Sequence, residues 1–105
     1  MNLSEYQAKA RLTAVYSEGA SSHGLLYTAL GLAAETGEAV NILKKILRGD
    51  YGPQDKALER VKGDLILELG DVLWYIAALA SEIDVDLTDI ARANLDKLAA
   101  RHFKE

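Results

Sequence analysis

The sequence has no cysteine, one proline, one tryptophan and only two histidines among its 105 residues. Without cysteine there can be no disulfide framework and no thiolate-bound metal, which fits the reducing cytoplasm where we expect this protein. No apolar run is long enough to cross a bilayer, and the first residues lack the basic and apolar segments of a signal peptide. We therefore expect neither secretion nor a membrane partner.

The excess of charge of one sign is also small, because 12 basic residues against 16 acidic ones leave a net charge of only −4. This mildly acidic balance argues against stable nucleic-acid binding through surface charge. It leaves room for a phosphorylated ligand, since a bound divalent cation reverses the local sign. The length predicts a single domain over residues 1–105 that is small enough to benefit from association with other copies.

Apolar residues recur with helical spacing along most of the chain, which predicts an all-α fold. We expect four helices, over residues 4–16, 25–48, 56 or 57–83, and 87–101 or 102. They would pack as a four-helix bundle in which the second and third helices are long and central. The segment 17–24 is small, polar and glycine-containing, so it is expected to be a loop.

Residues with special backbone or capping preferences mark the expected helix ends. Ser4, with Gln7 three residues later, forms a capping-box pattern at the start of the first helix. Gly49 follows the basic Arg48, as expected for a residue just beyond a helix C-terminus. Asp86 is a good N-cap for the last helix.

Two short acidic motifs lie in the middle of the long helices. They read Glu35-Thr36-Gly37-Glu38 and Glu68-Leu69-Gly70-Asp71. Residues three apart lie on nearly the same helix face, so packing of the two helices would gather four carboxylates in one place. Such a group repels itself and requires a cation. An all-oxygen ligand set suits Mg²⁺, with Mn²⁺ as a substitute, on Glu35, Glu38, Glu68 and Asp71.

Two plainer interpretations of these acids compete with the metal site. Acidic residues three apart are common on solvent-exposed helix surfaces, so either motif alone is weak evidence and only their conjunction carries weight. A di-iron carboxylate bundle would need Glu-x-x-His motifs on two helices. The histidines, His23 in the expected loop and His102 near the end, do not follow a glutamate at that spacing, so we set the di-iron class aside.

Basic and amide side chains supply candidate phosphate ligands. Asn94, Lys97 and Arg101 share one stripe of the last helix, which on composition alone is better explained as a solvated face. In the functional interpretation they would bind a polyphosphate together. Asn94 would supply a neutral donor, Lys97 a point charge and Arg101 a bidentate pair of donors. Lys45 lies on the acidic stripe of the second helix and would reach phosphate or neutralise an acid, although basic residues are expected near a helix C-terminus.

Aromatic and glycine residues near the acids suggest close packing. Tyr75 lies on the acidic stripe one turn beyond Asp71 and is a candidate for contact with a ligand, whereas Trp74 is expected in the core or at a subunit interface. Gly31 and Gly37 would each cost about 1 kcal/mol in a helix interior relative to alanine. We therefore expect another helix or a ligand to approach them closely.

Three segments together resemble the MazG-type nucleoside triphosphate pyrophosphohydrolases of the all-α NTP pyrophosphatase superfamily. They are GLAAETGEAVNILKK at 31–45, ELGDVLWYIAALA at 68–80 and NLDKLAARH at 94–102. The resemblance implies cleavage of a (deoxy)nucleoside triphosphate between its α and β phosphates. It places Mg²⁺ on the four acids, which become the catalytic residues, and phosphates on Lys97, Arg101 and Asn94. It also implies a homodimer or homotetramer whose site is completed by a neighbouring chain.

The resemblance has departures, and it leaves alternatives open. Several relatives carry a doubled glutamate at the start of a motif, where this chain has Ala34 and Leu67. The connection between the motifs is also long. A phosphoribosyl-ATP pyrophosphohydrolase would use the same fold and metal, and a non-catalytic module would bind a nucleotide or partner without turnover. Base contacts are expected from helix 1 and the following loop, with Tyr6 and Gln7 as guesses that packing explains more simply.

Overall fold

The computed structural model describes residues 1–16 and 23–103, and within these ranges the fold consists of four helices and no strand. They are α1 (Leu3–Arg11), α2 (His23–Arg48), α3 (Gln54–Glu82) and α4 (Leu87–His102). The predicted all-α class is confirmed, and the lengths of α2 and α3 are compatible with the prediction of two long central helices. Most of the expected loop at 17–24 lies outside the described residues, apart from His23 and Gly24, which begin α2.

The long helices α2 and α3 form an antiparallel hairpin that is the framework of the molecule. Gly24 near the start of α2 faces Glu82 at the end of α3, and Gly31 faces Tyr75. Helix α1 packs on α3 and α4, while α4 makes few contacts with α3. The acidic motifs therefore lie midway along the hairpin, where the two helices face each other.

The end of α2 and the start of α4 have the terminating and capping residues that the sequence predicts. Gly49 has a φ of +89°. The amide of Asp50 donates to the Lys45 carbonyl at 3.1 Å, which completes a Schellman motif at the end of α2. The Asp86 carboxylate accepts from the Thr88 amide at 2.7 Å and so caps α4. That bond, with a second from the Ser4 hydroxyl, holds the pKa of Asp86 below its usual range.

The first helix differs from its prediction at both ends. Asn2 caps it by accepting from the Glu5 amide at 2.8 Å, so the predicted Ser4 cap is wrong. Ser4 instead donates its hydroxyl to Asp86 at 2.8 Å, at the start of α4. The helix ends at Arg11 rather than Tyr16, and the amides of Leu12, Thr13 and Ala14 form i→i−3 turn bonds to α1. Thr13 accepts a hydrogen bond from the Trp74 indole at 2.8 Å.

Gln7 joins α1 to the junction between α3 and α4. Its side-chain amide donates to the Val85 carbonyl at 2.9 Å and to the Ser81 hydroxyl at 3.1 Å. Its side-chain oxygen accepts from the Leu87 amide at 2.8 Å. All of its side-chain bonds are therefore structural, as the packing explanation of Gln7 predicted.

The buried core of one chain is built mainly from small residues. The buried apolar residues are Ala10, Ala39, Ala57, Val61, Ala77, Ala78, Ala80 and Leu87. Large apolar residues such as Leu30, Leu47 and Leu67 are instead 69–76% exposed. The chain exposes 7584 Å², whereas a compact monomer of its 11.4 kDa mass exposes about 5,800 Å². A single copy thus leaves much apolar surface uncovered. Within the described ranges, no helix is long and apolar enough to span a membrane.

Candidate active site

Three of the four predicted acids meet where α2 and α3 face each other. Glu35, Glu68 and Asp71 can each offer one carboxylate oxygen such that these oxygens all lie within 4.8 Å of one another. Glu35 and Glu68 are partly buried and Asp71 is exposed. The group is therefore open to a ligand on one side and bounded by the two helices on the other.

Glu38 lies outside this three-carboxylate group. It is exposed, one turn along α2 from Glu35. A spacing of three residues turns a helix by about 300°, which leaves the second side chain rotated by roughly 60° from the first. The same spacing separates Glu68 from Asp71, which both join the group, so this rotation alone does not decide the place of Glu38. Its charge nevertheless acts on Glu35, so it borders the same site.

Electrostatics favour a cation among these acids. Desolvation raises the pKa of Glu35, and the charges of Asp71, Glu68 and Glu38 raise it further. A carboxylate that is harder to ionise because of its acidic neighbours is stabilised by a positive charge placed between them. Carboxylate oxygens are the ligands that hard divalent cations prefer. The donor set present in this chain therefore fits Mg²⁺ or Mn²⁺.

Tyr75 lies beside the acids as predicted and fills the space over Gly31. A Cβ at Gly31 would overlap the Tyr75 ring, so the predicted close approach at this glycine is confirmed. A hydrogen bond with Tyr27 is the main cause that raises the pKa of Tyr75 to about 12, with burial, Glu35 and Asp71 contributing. At Gly37 no neighbouring atom lies within 4 Å of a Cβ position, so the expected close approach is absent among the described residues.

An aromatic row continues from Tyr75 toward the end of α1. Tyr27 lies 6.3 Å from Tyr75 between ring centroids and stacks on Tyr16 at 4.8 Å with an interplanar angle of 23°. Trp74 packs edge-on against Tyr75 at 4.9 Å and Tyr16 at 6.5 Å, which places it between α3 and the residues that follow α1. Burial, and then the charge of Asp71, raise the pKa of Tyr6 in α1. Tyr6 therefore lies near the acids.

Sequence reasoning missed Tyr16 and Tyr27. Tyr27 lies four residues before Gly31 and eight before Glu35, and this spacing puts all three on one face of α2. The spacing was therefore a usable signal for Tyr27. Tyr16 gave no such signal, because it lies beyond the end of α1 and is placed by a hydrogen bond from Arg11.

The predicted phosphate ligands are not gathered at the acids within the described chain. Asn94 and Lys97, with Ile90 and Ala93, line a separate open depression of about 360 Å³ on the exposed surface of α4. Arg101 is exposed in the last turn of the same helix.

Lys45 follows Glu38 by seven residues, which is about 10 Å along α2. The pKa of Asp50 is lowered chiefly by its hydrogen bond to Arg48, and the charges of Lys45 and Lys44 lower it further. Within the described residues, Asn94 and Lys97 on α4 are thus separate from the acids of the same copy.

Comparison with known proteins identifies the domain. The MazG nucleotide pyrophosphohydrolase domain matches residues 24–104, which include the four acids of the two motifs and the whole of α4. This chain belongs to the MazG family. The match confirms the resemblance drawn from the acidic motifs. It supports a nucleotide pyrophosphohydrolase activity, and members of the family generally depend on a metal.

Two relatives of this MazG chain come from a phage and a bacterium. It is 41% identical over 104 residues to Gene 37 protein of Mycobacterium phage L5, covering 96% of this chain and 89% of that protein. It is 36% identical over 72 residues to Uncharacterized protein YvdC of Bacillus subtilis (strain 168), covering 67% of this chain and 68% of that protein. No solved structure matches the chain.

Proposed function

We propose that this MazG domain hydrolyses (deoxy)nucleoside triphosphates between the α and β phosphates, releasing a nucleoside monophosphate and pyrophosphate. The observation that carries the proposal is the meeting of Glu35, Glu68 and Asp71 within 4.8 Å. These acids belong to a domain whose family cleaves nucleotide pyrophosphate bonds. A cluster of carboxylates by itself repels a triphosphate, so this arrangement makes sense for that substrate only together with a cation.

We propose Mg²⁺ as that cation, with Mn²⁺ as a substitute, held by Glu35, Glu68 and Asp71. When bound, Mg²⁺ supplies electrostatic stabilisation of the triphosphate and acidification of water. The protein's own contribution is to fix the three carboxylates on two packed helices. This arrangement orients them before the substrate arrives.

Glu38 is proposed as the fourth member of the site. Its exposed position beside Glu35 allows two roles, a further metal ligand or the base that accepts the proton of the attacking water. The two roles separate in experiment, since loss of a ligand weakens metal binding and loss of a base lowers turnover alone. Tyr75 is proposed to contact the substrate beside the phosphates, with its phenol protonated at neutral pH.

The phosphate ligands are proposed to be Asn94, Lys97 and Arg101, with a lesser role for Lys45. Because Asn94 and Lys97 line an open depression on the exposed surface of α4, away from the acids of their own copy, we propose that these residues reach the acids of a second copy. The surplus of exposed apolar surface supports such an assembly, at least a homodimer. The α4 helix, which makes few contacts with its own hairpin, is free to serve a neighbouring one.

Pyrophosphate release from the common NTPs and dNTPs, with Mg²⁺ or with EDTA, tests the reaction. Metal-dependent pyrophosphate with a monophosphate product is the expected result. Orthophosphate as the product would contradict the proposed bond. No product from folded protein would direct the test to phosphoribosyl-ATP.

Replacement of the acids one at a time tests the site. Glu35→Gln is expected to lower turnover by more than about 100-fold, since even the loss of groups that only support a metal ligand costs about 10–100-fold. In EDTA at neutral pH the same variant is expected to be more stable than the wild type. The raised pKa of Glu35 means that its ionised form destabilises the metal-free fold, and glutamine removes that charge. A folded Glu35→Gln with full turnover would refute the site.

Glu38→Gln is the matched replacement outside the three-carboxylate group. Its affinity for Mg²⁺, measured by calorimetry beside that of Glu35→Gln, assigns the role of Glu38. Retained affinity with lost turnover indicates the base, and lost affinity indicates a ligand. Full affinity and full turnover together would remove Glu38 from the proposal.

A further inference from the structure

At the end of the aromatic row that lies away from the acids, one ring face of Tyr27 is covered by another side chain of the same protein. Tyr16 stacks on Tyr27 at 4.8 Å, the separation of an offset stacked pair. Tyr27 is in turn joined to Tyr75, which borders Glu35 and Asp71. A planar group that extends from the acids along this row therefore meets a Tyr27 face that Tyr16 covers.

The position of Tyr27 along α2 fits the outer part of a nucleotide. Eight residues separate it from Glu35, which at 1.5 Å per residue places it about 12 Å along the helix axis from that acid. A nucleotide whose phosphates lie at the acids carries its base away from them. The base is the part of the substrate that can stack on an aromatic ring.

Tyr16 is held in a way that permits exchange. It lies beyond the end of α1 and outside any helix, so its movement breaks no helical hydrogen bond. Among the described residues, its contacts are a hydrogen bond from Arg11, whose guanidinium also lies 5.7 Å from the ring centroid, the stack on Tyr27 and an edge contact with Trp74 at 6.5 Å. A base that stacks on an aromatic side chain gains at least as much as two side chains gain from stacking on each other.

We propose that Tyr16 occupies the nucleobase-stacking face of Tyr27 and is displaced from it by the base of the substrate. Tyr16 then sets the threshold for base binding, because each base must gain more from Tyr27 than Tyr16 does. Bases with strong stacking pass this threshold more readily than bases with weak stacking. The inference rests on the proposed function, since it takes the phosphates to lie at the acids.

Removal of the Tyr16 ring is the test, and binding of non-hydrolysable nucleotides is the measurement. Calorimetry with Mg²⁺ and the four α,β-methylene nucleoside triphosphates gives the dissociation constants. Tyr16→Ala is expected to lower Kd by about two- to tenfold, the equivalent of one aromatic pair. Tyr27→Ala is expected to raise Kd at least about fivefold, since the stacking platform is lost. Tyr51→Ala, in the connection between α2 and α3, is the control and leaves Kd unchanged.

Inorganic tripolyphosphate separates the base from the phosphates. It carries no base, so its Kd is expected to be the same for wild type and Tyr16→Ala. Nucleotides that bind the wild type but bind Tyr16→Ala no better, or less well, overturn the inference while the proposed function stands. A wild type that binds neither tripolyphosphate nor any nucleotide overturns the proposed function, and the inference with it.

Trp74 supplies a second readout that needs no variant. It is the only tryptophan, and its ring contacts Tyr16 edge-on. Displacement of Tyr16 changes the surroundings of that indole, so the nucleotide analogues are expected to alter its emission while tripolyphosphate does not. Identical spectra with saturating nucleotide and with tripolyphosphate would contradict displacement even if Tyr16→Ala failed to fold.

Discussion

Replacement of the glycine at the closest approach of α2 and α3 gives a sharp test of how the site is built. Gly31→Ala places a methyl group into the Tyr75 ring, whereas Gly37→Ala, in the same helix, places one where no described atom lies within 4 Å. Both changes gain about 1 kcal/mol of helix propensity. Only the first adds an overpacking cost of about 1–3 kcal/mol, because an aromatic ring is rigid and a helix stands behind it.

The two alanine variants are therefore expected to move stability in different directions. Gly37→Ala should stabilise the fold by up to about 1 kcal/mol, and Gly31→Ala should be neutral or destabilise it by up to about 2 kcal/mol. Urea unfolding followed by circular dichroism at one fixed protein concentration measures both. With a shift of roughly 4–8 °C per kcal/mol for a domain of this size, thermal melts resolve the same difference.

Tyr75→Ala is the partner for a double-mutant cycle. If the ring causes the cost at Gly31, the change to alanine there should become stabilising by about 1 kcal/mol once the ring is gone. Equal shifts for Gly31→Ala and Gly37→Ala in the wild-type background would refute the contact. So would a Gly31→Ala effect that Tyr75→Ala leaves unaltered.

Three further predictions follow from other contacts. Gln7→Ala removes the partner of three groups and should destabilise the fold by about 1–3 kcal/mol in urea unfolding, with base preference unchanged. Asp86→Asn should lose stability at neutral pH but match the wild type at acidic pH, since a lowered pKa stabilises only while the group is ionised. Co-refolded Glu35→Gln and Lys97→Ala should regain pyrophosphate release that neither homogeneous variant shows, unless α4 serves its own chain.

Much of the fold was predictable because local chemistry decides it. Periodicity placed the three later helices, and Gly49 and Asp86 marked their ends through a positive φ and a side-chain cap. The first helix was predicted poorly, because a contact remote in sequence decides the role of Ser4. Its hydroxyl bonds to Asp86, 82 residues away, and no local pattern contains that bond.

The site was predictable to the extent that helix geometry is. The spacing within each motif, together with packing of the two helices, predicted that Glu35 would meet Glu68 and Asp71, as the structure has them. Spacing alone was too coarse to place Glu38, because the same three-residue spacing brings Glu68 and Asp71 together and leaves Glu38 outside the group. The positions of the α4 cations depend on how helices pack in three dimensions and on which copy they serve, and a periodic pattern contains neither.

The Gln7 contact has a consequence for the order in which the chain folds. The α2–α3 hairpin joins neighbours in sequence, whereas Gln7 reaches residues up to 80 positions away. Closing so long a loop costs more entropy, so we expect the hairpin to form first and α1 to dock last. A nine-residue helix is marginal alone, so α1 should open most readily under native conditions. The amides of α1 are then expected to exchange hydrogen faster than those of the α2–α3 hairpin. Each opening of α1 would also carry Tyr6 away from the acids.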